Sequence, residues 1–257
     1  MWHFEEQGQG RPLVLLHGIG MSSFAWSPVM TRLAAQRRVI AFDTAGFGKT
    51  PPLPAGTPPT VPHLVQALCQ TLDSLGLHEP VDVAGNSMGG WMALDMALQG
   101  RARSVVAISP AGLWKEQSSA LVRGLFDVMR TSTRWSPNLV RLALKSGLMR
   151  ELFMAMPISW GSRCMSPQDA YRAAVEFANA PGFDATIEHA GAFQGGQGIT
   201  CPLTVAFGRR DWLLTAKAQH RDQLPQHTRW VAPDTWGHVP MWVDPEGVAR
   251  LILEQTT

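Results

Sequence analysis

Charge is scarce in this sequence. Only 16% of its 257 residues are Asp, Glu, Lys or Arg, and the formal net charge is +2. Such a chain lacks the basic footprint of a nucleic-acid binder, and its 45% hydrophobic content is not that of a disordered polymer. A small-molecule substrate is therefore expected, with no nucleic-acid partner. Cysteine is scarce too: Cys69, Cys164 and Cys201 are odd in number and widely spaced, which supplies neither a disulfide framework nor a metal-ligand cluster. Tyr171 is the only tyrosine. No apolar run approaches the roughly 18 residues of a membrane span. The opening MWHFEEQGQG holds two acids and no apolar leader core, so a cytoplasmic location is expected. No internal repeat, phosphate loop or dinucleotide fingerprint appears, so neither cofactor nor metal is expected. The oligomeric state is not legible.

What is present is an alternation of short apolar runs with helical stretches. Leu13 to Leu16, Arg38 to Phe42, Val81 to Ala84, Ser104 to Ile108, Leu203 to Phe207 and Arg229 to Ala232 are mostly apolar on successive residues, as strands covered on both faces are. Helix starts follow at Ser27-Pro28, Val61-Pro62, Thr215 and Asp244-Pro245, each a capping residue or a first-turn proline. The pattern predicts an α/β fold, a mostly parallel sheet flanked by helices. Residues 113–182 break it. They read as helices over Ser118 to Thr131, Pro137 to Met156 and Pro167 to Ala180, a helical cap inserted into a core formed by 1–112 and 183–257. Lys and Arg outnumber Asp and Glu nine to five in this insertion. The excess reads mainly as solvated helix faces, with a weak pull on anions as the alternative.

Chemistry concentrates at Gly85-Asn-Ser-Met-Gly89, which fits G-x-S-x-G between an apolar strand and the apolar stretch Met88 to Leu98. Strand, sharp turn and helix form the context of a nucleophile elbow, which sets Ser87 as candidate nucleophile. A serine hydroxyl needs a base, and the base needs a partner that holds its tautomer. His238, in Trp236-Gly-His-Val-Pro-Met-Trp242 after the last strand, is the candidate base. His17 has a competing reading but is expected to pack beneath its loop. Asp211, in Gly208-Arg-Arg-Asp-Trp212 just past a strand end, is the candidate acid. Asp234 and Asp244 are its rivals, with a turn and a helix cap as their ordinary roles. An oxyanion needs fixed backbone N–H donors; Met88 follows the serine, and Ile19 lies in His17-Gly-Ile-Gly20 after an early strand.

These segments, HGIG, GNSMGG, GRRD and GHVPMW, together resemble the α/β-hydrolase superfamily in its order across nearly the whole chain. The resemblance implies a Ser87-Asp211-His238 triad, backbone donors at Ile19 and Met88, and a structural turn at Asp43. A serine at the elbow and a lone tyrosine argue against epoxide hydrolases and haloalkane dehalogenases. HGIG is not the HGGG of lipase-like esterases. Carboxylic ester hydrolysis of a small acyl substrate is the leading expectation, closest to esterases and cofactor-free haloperoxidase-like members. Carbon–carbon hydrolysis of meta-cleavage diketones is the alternative, favoured by GNSMGG but opposed by Val239 where those enzymes have tryptophan. Arg163 is a candidate for their substrate-carboxylate arginine, with a surface role as the ordinary reading. Lactone or peroxide-linked acyl chemistry and a non-catalytic binding role complete the set, the last opposed by the filled triad. Among apolar residues of the insertion, including Phe126, the candidate pocket walls are Trp135, Met154 and Trp160, with Val239 beside the histidine.

Overall fold

The computed structural model describes residues 1–114, 120–155 and 161–256. Its strands are β1 (Phe4–Gln7), β2 (Pro12–Leu16), β3 (Arg38–Phe42), β4 (Val81–Asn86), β5 (Ala102–Ile108), β6 (Leu203–Ala206) and β7 (Arg229–Val231). They form one sheet in the order β1-β3-β2-β4-β5-β6-β7, parallel throughout except for β1, which pairs antiparallel with β3. Six strands match the apolar runs. β1 does not, because Phe4-Glu-Glu-Gln7 has little apolar content to reveal it. It closes an edge where only one face needs covering, and charged side chains are tolerated there.

Unbroken apolar runs in β2 and β3 follow from burial on both faces. Val14, Leu16, Ile40 and Phe42 point into one core, and Leu13, Leu15, Val39 and Ala41 into the other, as the two-residue period of a strand requires. Helices α1 (Ser27–Ala34) and α9 (Pro245–Thr256) cover the second core, while α2 (Val61–Ser74) and α3 (Met88–Leu98) cover the first. Thr60 caps α2 by accepting from the His63 N–H, with Pro62 in the first turn. One buried carboxylate interrupts this apolar pattern. Asp82 in β4 is fully enclosed and meets Arg37, Arg103 at 2.6 Å, Arg11 at 3.2 Å and the Ser104 hydroxyl at 2.6 Å. A buried charge persists only when paired and hydrogen-bonded in this way.

Between β5 and β6 lie α4 (Ala120–Trp135), α5 (Pro137–Ala143), α6 (Gly147–Ala155), α7 (Pro167–Asn179) and α8 (Phe183–Glu188). Of the stretch expected as one helix from Pro137 to Met156, the described residues form two helices, interrupted at Leu144 to Ser146, and Met156 lies outside the described residues. Ser146 and Gly147 are weak helix formers, and tight turns from Lys145 to Leu142 and from Ser146 to Ala143 close the first helix. α7 begins where expected, with Ser166 accepting from the Asp169 N–H at 3.0 Å. The helix expected after Thr215 is absent. Ala216–Ala218 and Arg221–Gln223 form single turns only, and Leu224 is extended because Pro225 follows it.

Candidate active site

The chain runs from β2 through α1 to β3 on one side, then returns through α2 to β4 on the other side of β2. Strand order reverses there, and such reversals leave a crevice outside the carboxyl ends of the strands. β2 delivers His17-Gly-Ile-Gly20 to this crevice, and β4 delivers Ser87.

Ser87 adopts φ 55° and ψ −116°, a backbone region that costs a non-glycine residue about 1–3 kcal/mol and persists only where neighbours enforce it. Three backbone hydrogen bonds do so. The Ser87 N–H donates to Ile108 at 3.0 Å, while its carbonyl accepts from Trp91 at 3.1 Å and Ala111 at 3.0 Å. Glycines flank it for steric reasons: a Cβ on Gly85 would strike the Gly89 carbonyl, and one on Gly89 would strike the Leu16 carbonyl.

His238 reaches the same crevice from the loop after β7, and its Nδ1 lies 3.0 Å from Asp211 Oδ2. The other Asp211 oxygen accepts the backbone N–H groups of Leu213 at 3.0 Å and Leu214 at 2.9 Å. Burial alone would raise the Asp211 carboxyl, but the His238 charge and hydrogen bond together with the Leu214 N–H outweigh it and hold the group below its ordinary value. An ionised Asp211 accepts from Nδ1–H and leaves Nε2 as the basic nitrogen. The two loops also brace each other, with the Arg210 N–H donating to Trp236 at 2.9 Å. Ser87 and His238 line one cavity without a direct hydrogen bond between them.

The rival acids are occupied elsewhere. Asp234 pairs with Arg209 at the surface, at 3.0 Å. Asp244 accepts from the Gly247 N–H at 2.9 Å and the Trp236 indole at 2.8 Å, a helix cap. Asp43 accepts from Ser23 at 2.7 Å and Lys49 at 2.8 Å, which makes it a turn former. His17 is buried beneath its loop. The Thr44 N–H donates to its Nε2 at 2.9 Å, so Nδ1 carries the proton and donates to the Gly18 carbonyl at 2.7 Å. Burial pushes its basicity below the ordinary value, against the opposing Gly18 bond and the charges of Asp43 and Glu176.

Asn86 was not legible as a site residue. It is fully buried, and its Nδ2 donates to the His238 carbonyl at 2.8 Å and the Ile108 carbonyl at 3.1 Å. It thereby ties the histidine loop to the elbow. The only sequence signal was its place inside the G-x-S-x-G motif.

Ser87 opens on a chamber of about 310 Å³ whose walls include Ile19, Met88, Trp91, Trp114 and Phe126. Trp91 and Trp114 meet edge to face, 6.0 Å between centroids. A narrow cavity of about 20 Å³ holds His238, Gly18, Asn86 and Val239 and shares Ile19, Ser87, Phe126 and Leu213 with the chamber. Beyond Val239 and Phe177 lies a third space of about 30 Å³, walled by Met21, Met154, Met165 and Trp242. The helices between β5 and β6 reach the site through Phe126 and Phe177, whose rings stand 5.4 Å apart. α7 is further tied to the loop after β2 by the Ser22 hydroxyl, which donates to Glu176 at 2.6 Å.

Of the wall residues expected from sequence, Met154 and Val239 line these spaces. Trp135 does not: it is 84% exposed at the end of α4 and faces solvent. Trp160 lies outside the described residues. Arg163 is exposed and faces Glu151 at 3.5 Å, away from the cavity walls.

A model of the alpha/beta hydrolase family matches residues 13–251. The chain belongs to this family. Among curated proteins it is 30% identical over 193 residues to the epoxide hydrolase EphH of Mycobacterium tuberculosis, covering 70% of this chain and 87% of that one. Other curated relatives are matched over only part of their length, 36%, 53% and 44% in three cases. Two solved hydrolase structures superpose on nearly the whole chain. The meta-cleavage product hydrolase CumD from Pseudomonas fluorescens gives a TM-score of 0.75 at 19% identity, covering 98% of this chain and 93% of that one. The Bacillus subtilis carboxylesterase CesB gives 0.74 at 21%, covering 99% and 87%. At such identities the likeness is one of fold. No helix among the described residues is long and apolar enough to cross a membrane.

Proposed function

We propose that this alpha/beta hydrolase is a carboxylic ester hydrolase working through an acyl-enzyme. The observation that carries the reading is the convergence of a strained Ser87 and a carboxylate-anchored His238 on the walls of one cavity. Ser87 attacks the ester carbonyl while His238 Nε2 takes its proton. Asp211 fixes the imidazole tautomer and balances the imidazolium that forms. The backbone N–H groups of Ile19 and Met88 receive the developing oxyanion, a contribution worth about 3 kcal/mol per donor. Residues 113–182 act as a cap over the site, with Phe126, Met154 and Phe177 reaching its walls.

Identity to EphH does not bring epoxide chemistry with it. The elbow residue is a serine, and Tyr171, the sole tyrosine, is absent from the walls of all three spaces. For carbon–carbon hydrolysis, Arg163, the arginine expected to hold the substrate carboxylate, faces Glu151 outside the chamber, although Arg123 lies in the chamber wall. A fluorophosphonate probe tests the reading: it is expected to label the protein but not Ser87→Ala. The same substitution should lower ester turnover by about 10⁴-fold or more. Equal turnover by the two proteins rejects the assignment.

A further inference from the structure

Ser87 stands between two spaces of very unequal size. On one side is the chamber of about 310 Å³, walled by Trp91, Trp114 and Phe126. On the other are the cavity of about 20 Å³ that holds His238 and the methionine-lined space of about 30 Å³ behind Val239. A void of about 10–15 Å³ admits a single water, so the second side holds only a few heavy atoms. The chamber is of the size that encloses a whole organic ligand.

We propose that the substrates are small-alcohol esters, methyl to propyl, of arylalkanoic acids, with the acyl half in the chamber and the alcohol half in the narrow side. This rests on the ester-hydrolase reading above. Proton transfer sets the direction. When Ser87 Oγ bonds to the carbonyl carbon, the bond from that carbon to the alcohol oxygen must break. The leaving oxygen then takes from His238 the proton that came from Ser87. That oxygen must lie against the imidazole, and His238 lines the narrow cavity but not the chamber. The acyl carbon stays on Ser87, beside Met88, with its substituent directed into the chamber. Water then adds to that carbon, giving its proton to His238, and the acid leaves as Ser87 is restored. The chamber walls select the acid: an aryl ring finds two indoles set edge to face at 87°, with Phe126 in the same wall, and aromatic rings pack favourably in such arrangements.

Two isomeric esters test the assignment, because they contain the same atoms with the large group on opposite sides of the carbonyl. The kcat/KM for methyl 3-phenylpropanoate should exceed that for 2-phenylethyl acetate by about 10-fold or more. Equal values, or a preference for the acetate, overturn the assignment. Widening the narrow side with Met154→Ala should raise the hexyl-to-methyl rate ratio for 3-phenylpropanoates by about 5-fold. Met165→Ala serves the same purpose should the first variant not fold, and an unchanged ratio in a folded variant also overturns the assignment. Fluorophosphonate labelling of Ser87 separates the two levels. Labelling without ester preference removes only the partition of the substrate, whereas no labelling and no turnover of either isomer removes the ester-hydrolase reading with it.

Discussion

β4 and β6 bury every one of their residues, whereas α4, α5 and α6 leave Val128, Trp135, Leu139, Leu142, Leu148 and Leu152 more than half exposed. A central parallel strand has neighbours in the sheet and a core on each face, so its apolar residues have one possible environment. A helix on the outside of a small cluster has several. The helices between β5 and β6 gather only a modest core of their own around Val140, Leu144, Met154 and Met165; other apolar side chains join the main core, as Met129 and Phe183 do, or face the cavity walls or solvent. Hydrophobicity is thus a good guide to burial in the central strands and a poor one in these helices.

The largest expected effect attacks the polar exception within the sheet. Asp82→Ala leaves Arg37 buried without its carboxylate and should cost about 3–5 kcal/mol in urea unfolding; a loss below about 1 kcal/mol means the cluster is far better hydrated than its burial implies. Next is the tether at the site. Asn86→Ala strips a donor from two buried carbonyls, those of His238 and Ile108, and is expected to lower stability by about 1–3 kcal/mol. Its effect on ester turnover should be larger than that of a sheet substitution of equal stability cost, which comparison with Val106→Ala checks.

A smaller effect appears as pH falls. His17 is less basic folded than unfolded, so the unfolded chain takes its proton first. Stability should therefore decline as pH drops below the unfolded value of about 6.5, by at most about 1.4 kcal/mol per pH unit. Asp211 is more acidic folded than unfolded, so its contribution is present above about pH 3.9 and is lost as pH falls through its folded value. Urea titrations from pH 7 to 5 should show the first decline in the wild type and a flatter line in His17→Gln. Smallest of all is the exposed end of α4. Trp135→Ser should move stability by no more than about 0.5 kcal/mol, with ester kinetics unchanged; a marked rise in KM would return this side chain to the substrate pocket.

Much of the fold was legible because its determinants are local. Six strands were visible as apolar runs, and α2 and α7 announced themselves through the first-turn prolines Pro62 and Pro167. Failures have local causes as well. β1 carries too few apolar residues to mark an edge strand, and the stretch after Thr215 has the composition of a helix but ends against Pro225. The break at Leu144 to Ser146 depends on two weak helix formers whose effect is decided by what the flanking turns pack against.

By itself the sequence determined six of the seven strands and their alternation with helices, the elbow around Ser87 and the candidate partners Asp211 and His238, since each depends on residue type and spacing within a few positions. Tertiary structure alone decided that Asp211 rather than Asp234 or Asp244 meets His238, that Asn86 ties the two loops together, and that Met154 faces a cavity while Trp135 faces water. Those outcomes join residues far apart in the chain, and no local pattern encodes which distant side chain will fill the last few ångströms between them.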